Sequence, residues 1–100
     1  MTSLTDDISE LDEADFQRTL VRAQRQRLIA GEIQSGKDIA DLRAFVGLTQ
    51  LQFATALGIS VRTLQGWEQG QRRPEGPALA LLRIAARHPR IIRENMARVA

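Results

Sequence analysis

GLTQLQFATALGISVRTLQGWEQGQRRP, residues 47–74, holds two short amphipathic segments separated by Gly58-Ile59-Ser60. Thr49 can cap a helix over Gln50–Leu57 that turns Phe53, Ala54 and Leu57 inward. Gly58 ends it, Ser60 can cap a second helix over Val61–Gln69, and Gly70 ends that one. A helix, a three-residue turn containing Gly and a second helix form a helix-turn-helix. Gly58 tolerates the left-handed backbone that the sharp turn needs. Ile59 can plug the gap between the helices, and the small Ala54 lets them approach. At ~100° per residue, Thr63, Leu64 and Trp67 share one arc of the second helix, which reads as core. Val61, Arg62, Gln65, Gly66 and Gln69 share the other. That outer arc has no acid. Arg suits guanine, Gln suits adenine, and Val61 suits a thymine methyl. Gly66 costs ~1 kcal/mol in mid-helix. It either permits close approach to a groove wall or is simply tolerated.

Outward from this stretch the helical pattern continues. Asp38 can cap a helix carrying Ile39, Leu42, Phe45 and Val46, which Gly47 ends. Pro77 suits the first turn of a helix running to about Arg87, with Ala78, Leu81, Leu82 and Ala85 as its inner stripe. Leu79 and Ile84 fall outside that stripe. His88-Pro89 breaks the chain before a last helix to about Ala97, where Ile91, Ile92, Met96 and Val99 add apolar surface. Upstream, Phe16, Leu20, Val21 and Ala23 lie at helical spacing between Glu13 and about Ala30, followed by Leu28 and Ile29, among Arg18, Arg22, Arg25 and Arg27. Gly31 stops that helix, and Ser35-Gly36 reads as a break. No strand pattern is present. The reading is an all-α chain: an amphipathic N-terminal arm over 1–36, partly disordered or helical, then a five-helix domain over 37–100.

A chain of 100 residues makes one small domain plus an arm. It has no Cys and one His, which excludes disulfide scaffolds, thiolate zinc sites, Cys nucleophiles and most triad chemistry. His88 lies at a helix end, where a cationic ring favours the dipole, and it has no partner ligands. Asp38 and Asp41 read as a cap and a surface charge, not as paired catalytic carboxylates. No apolar run approaches the ~20 residues needed to span a bilayer, and the polar, acidic start is no secretory signal. The expectation is a cytoplasmic binding module, not an enzyme, with no metal and no cofactor. Charge is unevenly spread. Residues 1–15 carry six acids and no base, whereas the remainder carries all 14 bases against six acids, a net +8. An acidic tail ahead of a basic body is expected where the body meets a polyanion.

From Ile39 to about Ile92 the chain resembles a lambda-repressor-type (Xre/Cro family) helix-turn-helix domain. The resemblance is carried by Leu42-Arg43, Gly47-Leu48-Thr49-Gln50, Phe53-Ala54, Leu57-Gly58-Ile59-Ser60, Thr63-Leu64, Trp67-Glu68, Gly70 and Pro74. Within that family, TLQGWEQG (63–70), RRPEGPALALL (72–82) and the following HPRII (88–92) are similar to HigA-type antitoxins. The resemblance implies that Gln50 grips phosphate and that Ser60, Val61, Arg62, Gln65 and Gly66 face the DNA groove, with Arg62 the chief base contact. It implies that Arg72 and Arg73 touch phosphates and that Arg43 pairs internally with Glu68. The implied partners are double-stranded operator DNA and a RelE/HigB-like ribonuclease toxin. The N-terminal extension would grip that toxin through Phe16, Leu20 and Val21, and the acidic residues 6–15 suit a basic partner; the alternatives are a helix docked on the chain's own domain or a disordered tail. A single such domain buries little surface on DNA, so a homodimer is expected, with Ile84, Ile91, Ile92 and Met96 at its surface; the alternative is that about half of the C-terminal apolar residues close the domain's own core. The implied function is a type II antitoxin that neutralises its toxin and represses its own operon. The alternative is a stand-alone Xre-family regulator without a toxin.

Overall fold

The computed structural model describes residues 20–99, which form six helices and no strand. These are α1 (Arg22–Ile29), α2 (Gly36–Val46), α3 (Gln50–Leu57), α4 (Val61–Glu68), α5 (Pro77–Arg87) and α6 (Pro89–Val99). The described helices number one more than the expected five-helix domain. The additional one, α1, falls in the segment assigned to the arm.

Local hydrogen bonds explain the central pair. Thr49 Oγ1 accepts the Gln52 N–H at 3.2 Å while Gln52 Oε1 accepts the Thr49 N–H at 3.0 Å, a reciprocal cap that starts α3. At its end, Gly58 adopts φ 72°. Its N–H reaches the Thr55 carbonyl at 3.1 Å, and that of Ile59 reaches the Ala54 carbonyl at 3.0 Å. This paired closure satisfies carbonyls that α3 leaves open and needs a left-handed residue at position 58. Ile59 packs partly on the core, as its place in the turn suggests. Ser60 Oγ then accepts the Thr63 N–H at 3.0 Å and starts α4.

Phe53, Ile39, Leu42, Val46, Leu64, Leu82 and Leu28 are fully buried, so α1–α5 all contribute to one core. α6 closes it from the side of α3. Arg93 Nη1 donates to the Val46 carbonyl at 3.0 Å, and Asn95 Nδ2 donates to the Ala56 carbonyl at 2.6 Å. One helix thus satisfies the orphan C-terminal carbonyls of both α2 and α3. Ile92 is 4% exposed in this packing and belongs to the core, so it is not part of the free apolar surface expected of it.

α1 docks on the domain, although its sequence offers only a weak apolar stripe. Leu28 is fully buried and Leu20, just before the helix, is 8% exposed. The rest is held by arginines on helix ends. Arg25 Nε donates to the Ala86 carbonyl at 2.9 Å, and its guanidinium lies 5.1 Å from the centre of the Phe45 ring. In return, Arg83 Nε donates to the Ile29 carbonyl at 2.9 Å. Each helix thus supplies a cation to the negative end of the other.

Asp38 departs from its expected role. Ser35 is the N-cap of α2, with no side-chain cap bond, and Asp38 lies inside the first turn. Its buried carboxylate accepts from Arg27 Nη1 and Nη2, each at 3.1 Å, from Gln24 Nε2 at 3.1 Å and from the Gln34 N–H at 2.8 Å. It anchors α1 to α2. Burial pushes this carboxyl up, but the bonds from Arg27, the Gln34 N–H and Gln24 together outweigh it and lower its pKa from 3.8 to about 2. The folded value lies below the unfolded one. The resulting stability is therefore complete above pH 4 or so and is lost as the pH falls through about 2. Asp38→Asn should cost on the order of 2 kcal/mol at neutral pH and flatten the acid limb of the stability profile. Chemical denaturation from pH 7 to pH 2 checks this. An unchanged acid limb would sink it.

Candidate nucleic-acid interface

Trp67 and Leu64 anchor α4 in the core, which fixes the rotation of the helix and directs the opposite arc outward. Arg62 lies on that arc and is exposed; Gln65 is half-buried beside it. The only acid of α4, Glu68, is turned inward. Its Oε2 accepts from Arg43 Nε at 2.8 Å and its Oε1 from Arg43 Nη2 at 3.1 Å, the internal pair that the resemblance implies. Arg43 Nη1 also donates to the Leu48 carbonyl at 3.3 Å, so one side chain joins α2, α4 and the entry to α3. With the Glu68 charge compensated inside, Arg62 and the exposed Arg72 and Arg73 dominate the outer face electrostatically. Arg73 Nη2 lies 3.5 Å from the Ile33 carbonyl, beside the loop that leads into α2.

Several expected contacts are placed differently. Gln50 is half-buried, with its amide bonded to Glu68 at 3.0 Å and to Gln65 at 3.3 Å. Ser60 is exposed, and its hydroxyl is engaged in the cap and with the Thr63 hydroxyl at 2.9 Å. Thr63 is half-buried at the edge of the core. Val61 rests partly on the core, because the first turn of α4 leans on α3. Gly66 is buried and is not an open spot on the groove-facing arc. The chain turns back after α4, and the Gly66 carbonyl accepts the N–H groups of Gln71 at 2.9 Å and Arg72 at 3.2 Å. The stem of Arg72 then lies across it.

A Cβ at Gly66 would sit 3.6 Å from Arg72 Cδ, an ordinary contact. Gly66→Ala should therefore stabilise the fold by about 0.5–1 kcal/mol through helix propensity. Thermal unfolding checks the sign. A destabilised variant would mean that the space beside Gly66 is tighter than this packing.

The arginines at 72 and 73 were legible as a basic loop. The Gln50 contacts were not, since Gln50 and Gln65 lie on different helices. The one local hint is that Gln65 and Glu68 stand three residues apart on one helix face.

Of the residues assigned to toxin contact, Phe16 lies outside the described residues, as do the acidic residues 6–15. Leu20 packs into the chain's own core, and Val21 is 69% exposed. Of those assigned to dimerisation, Ile84 and Ile91 are exposed, at 42% and 53%, and Met96 is half-buried against the core. Ile84 and Ile91 line an open groove with Ala56, Leu81 and the edge of Ile92.

The model of the family described as the antitoxin component of bacterial toxin-antitoxin systems, MqsA, matches residues 6–96. The chain belongs to the MqsA antitoxin family. The antitoxin is also 40% identical over 60 residues to Antitoxin HigA-2 of Vibrio cholerae, which bears out the resemblance to HigA-type antitoxins. That match covers 59% of this chain and 58% of the relative, so it spans less than two thirds of the relative's length. No solved structure matches the chain. As an antitoxin, the protein is a regulatory component and not an enzyme. No helix among its described residues is long and apolar enough to cross a membrane.

Proposed function

We propose that this antitoxin binds operator DNA through α4, represses its own operon and neutralises a RelE/HigB-like ribonuclease in the cytoplasm. One observation carries the DNA reading. The acid of α4 is held inside by Arg43, and the arc opposite Trp67 presents Arg62 and Gln65 between flanking arginines. In this reading Arg62 donates in pairs to a guanine edge, while Arg72 and Arg73 fix orientation on phosphates. Ser60 and Val61 border the groove. Two copies meet through the surface around Ile84 and Ile91, with Met96 at its edge, and place two α4 helices one DNA turn, ~34 Å, apart. The segment containing Phe16 and ending at the exposed Val21 contacts the toxin. Leu20 contributes to that contact only if it leaves the core.

Arg62→Ala should cost ~1–3 kcal/mol of operator affinity and relax choice at one base position. Arg72→Ala should weaken all sequences alike and reduce the salt slope by about one. Titrations of specific and scrambled duplexes at several salt concentrations separate the two. Equal loss on every sequence for Arg62→Ala would remove it as a base reader. The deciding experiment is co-purification with the product of the neighbouring gene, followed by a footprint on the shared promoter. A purified chain that ignores its own upstream sequence at modest ionic strength would overturn the DNA reading. Failure to retain a ribonuclease-like partner would favour a regulator without a toxin.

A further inference from the structure

We propose that Gln50 is a positioning residue, and that the buried charge of Glu68, relayed through Gln50, sets which base edge Gln65 reads. The inference rests on α4 entering the DNA groove, and it adds a direction to the hydrogen bonds there.

Glu68 is paired with the Arg43 guanidinium and accepts hydrogen bonds without donating any. Gln50 Nε2 lies 3.0 Å from Glu68 Oε1, so the NH2 end of the Gln50 amide must face Glu68. This leaves its oxygen facing α4, where Gln50 Oε1 lies 3.3 Å from Gln65 Nε2. An oxygen there requires the NH2 end of Gln65. An amide orientation that is ordinarily ambiguous is thus fixed twice in succession by a charge that lies two side chains away.

The consequence appears at the outer end of the relay. One N–H of Gln65 is spent on Gln50. Its carbonyl oxygen and second N–H have no hydrogen-bond partner among the described residues. A free acceptor beside a free donor matches the N6 amino group and N7 of adenine in the major groove. Guanine offers two acceptors there and leaves the Gln65 oxygen without a donor. Gln65 on a mobile side chain could turn its amide over and accept either pattern; held by Gln50, it cannot. Gln50 therefore acts on base choice without touching a base, and its amide is committed inside the protein instead of to a phosphate.

The test uses the full chain and a pool of duplexes randomised across the binding site. Enriched sequences are compared for the wild type, Gln65→Ala and Gln50→Leu. The relay predicts that the wild type prefers adenine at one position by about tenfold or more. Gln65→Ala and Gln50→Leu should both flatten that same position and leave the others intact. A Gln50→Leu chain that binds every sequence more weakly but keeps the adenine preference overturns the relay and makes Gln50 a phosphate grip. A wild type that enriches no sequence overturns the DNA reading itself. The side-chain amide resonances supply an arm without DNA. Gln50→Leu should move the Gln65 NH2 signals in the free protein, and unmoved signals would overturn the relay even if binding changed.

Discussion

Gly36→Ala is expected to lower the melting temperature by roughly 15 °C or more, the equivalent of about 3 kcal/mol in a domain of this size. Gly36 opens α2 directly against the last turn of α4. A Cβ there would overlap the Glu68 carbonyl oxygen and lie 2.6 Å from the Glu68 carbonyl carbon and 2.7 Å from the Trp67 carbonyl oxygen. All three neighbours are backbone, so no side chain can swing away and one helix must move. Movement there disturbs Ile39 and Trp67, both buried, and with them the rotation of α4. The expected result is therefore double: lower stability and weaker operator binding. Thermal unfolding with DNA titration reads both. A variant melting within ~3 °C of the wild type, under 1 kcal/mol on this scale, would show that α2 and α4 do not meet this closely. Gly66→Ala is the control, since it adds the same methyl group within α4 where only the Arg72 side chain is near, and is expected to stabilise.

Arg43→Ala is expected to destabilise the fold by about 3–5 kcal/mol. The loss exceeds that of an exposed ion pair because the Glu68 side chain is only 9% exposed and keeps its charge without a counter-ion. Gln50 still donates to it but carries no charge. Removing both partners should behave differently. Arg43→Met with Glu68→Leu leaves no buried charge and should recover most of the loss. It should not recover sequence preference, because Gln50 then has no carboxylate to orient it. A double-mutant cycle in urea checks the coupling, and additive losses would show that the two side chains do not act as a pair.

Arg25, Arg27 and Gln24 explain why part of the molecule was hidden in the sequence. Phe16, Leu20 and Val21 among arginines read as an amphipathic arm offered to a partner. Here Arg25 caps α5, Arg27 and Gln24 clamp Asp38, and Leu28 is buried in the core. The break expected at Ser35-Gly36 is present, with Ser35 at the N-cap and Gly36 opening α2; what the sequence did not show is that a side chain at Gly36 would run into the backbone of Trp67 and Glu68. Asp38 shows the same effect at one residue: an acid near a helix start suggests a cap, and only its neighbours in space reveal an anchor. Phe53, Ala54, Leu57, Leu64 and Trp67, in contrast, are buried as their spacing requires.

Residues 47–70 carry their own instructions. The Thr49–Gln52 and Ser60–Thr63 caps, the left-handed Gly58 and the 3.6-residue apolar period all act within about four residues, so sequence alone determined the two helices, their turn and the outward face of Arg62. What folding decided are the partners of polar groups far apart in the chain: Arg25 with the Ala86 carbonyl across 61 positions, Arg27 with Asp38, and Gln50 with Gln65 and Glu68. A hydrophobic stripe announces that it will be buried, whatever covers it. A hydrogen bond has direction and one partner, and that partner is settled only when the helices have packed.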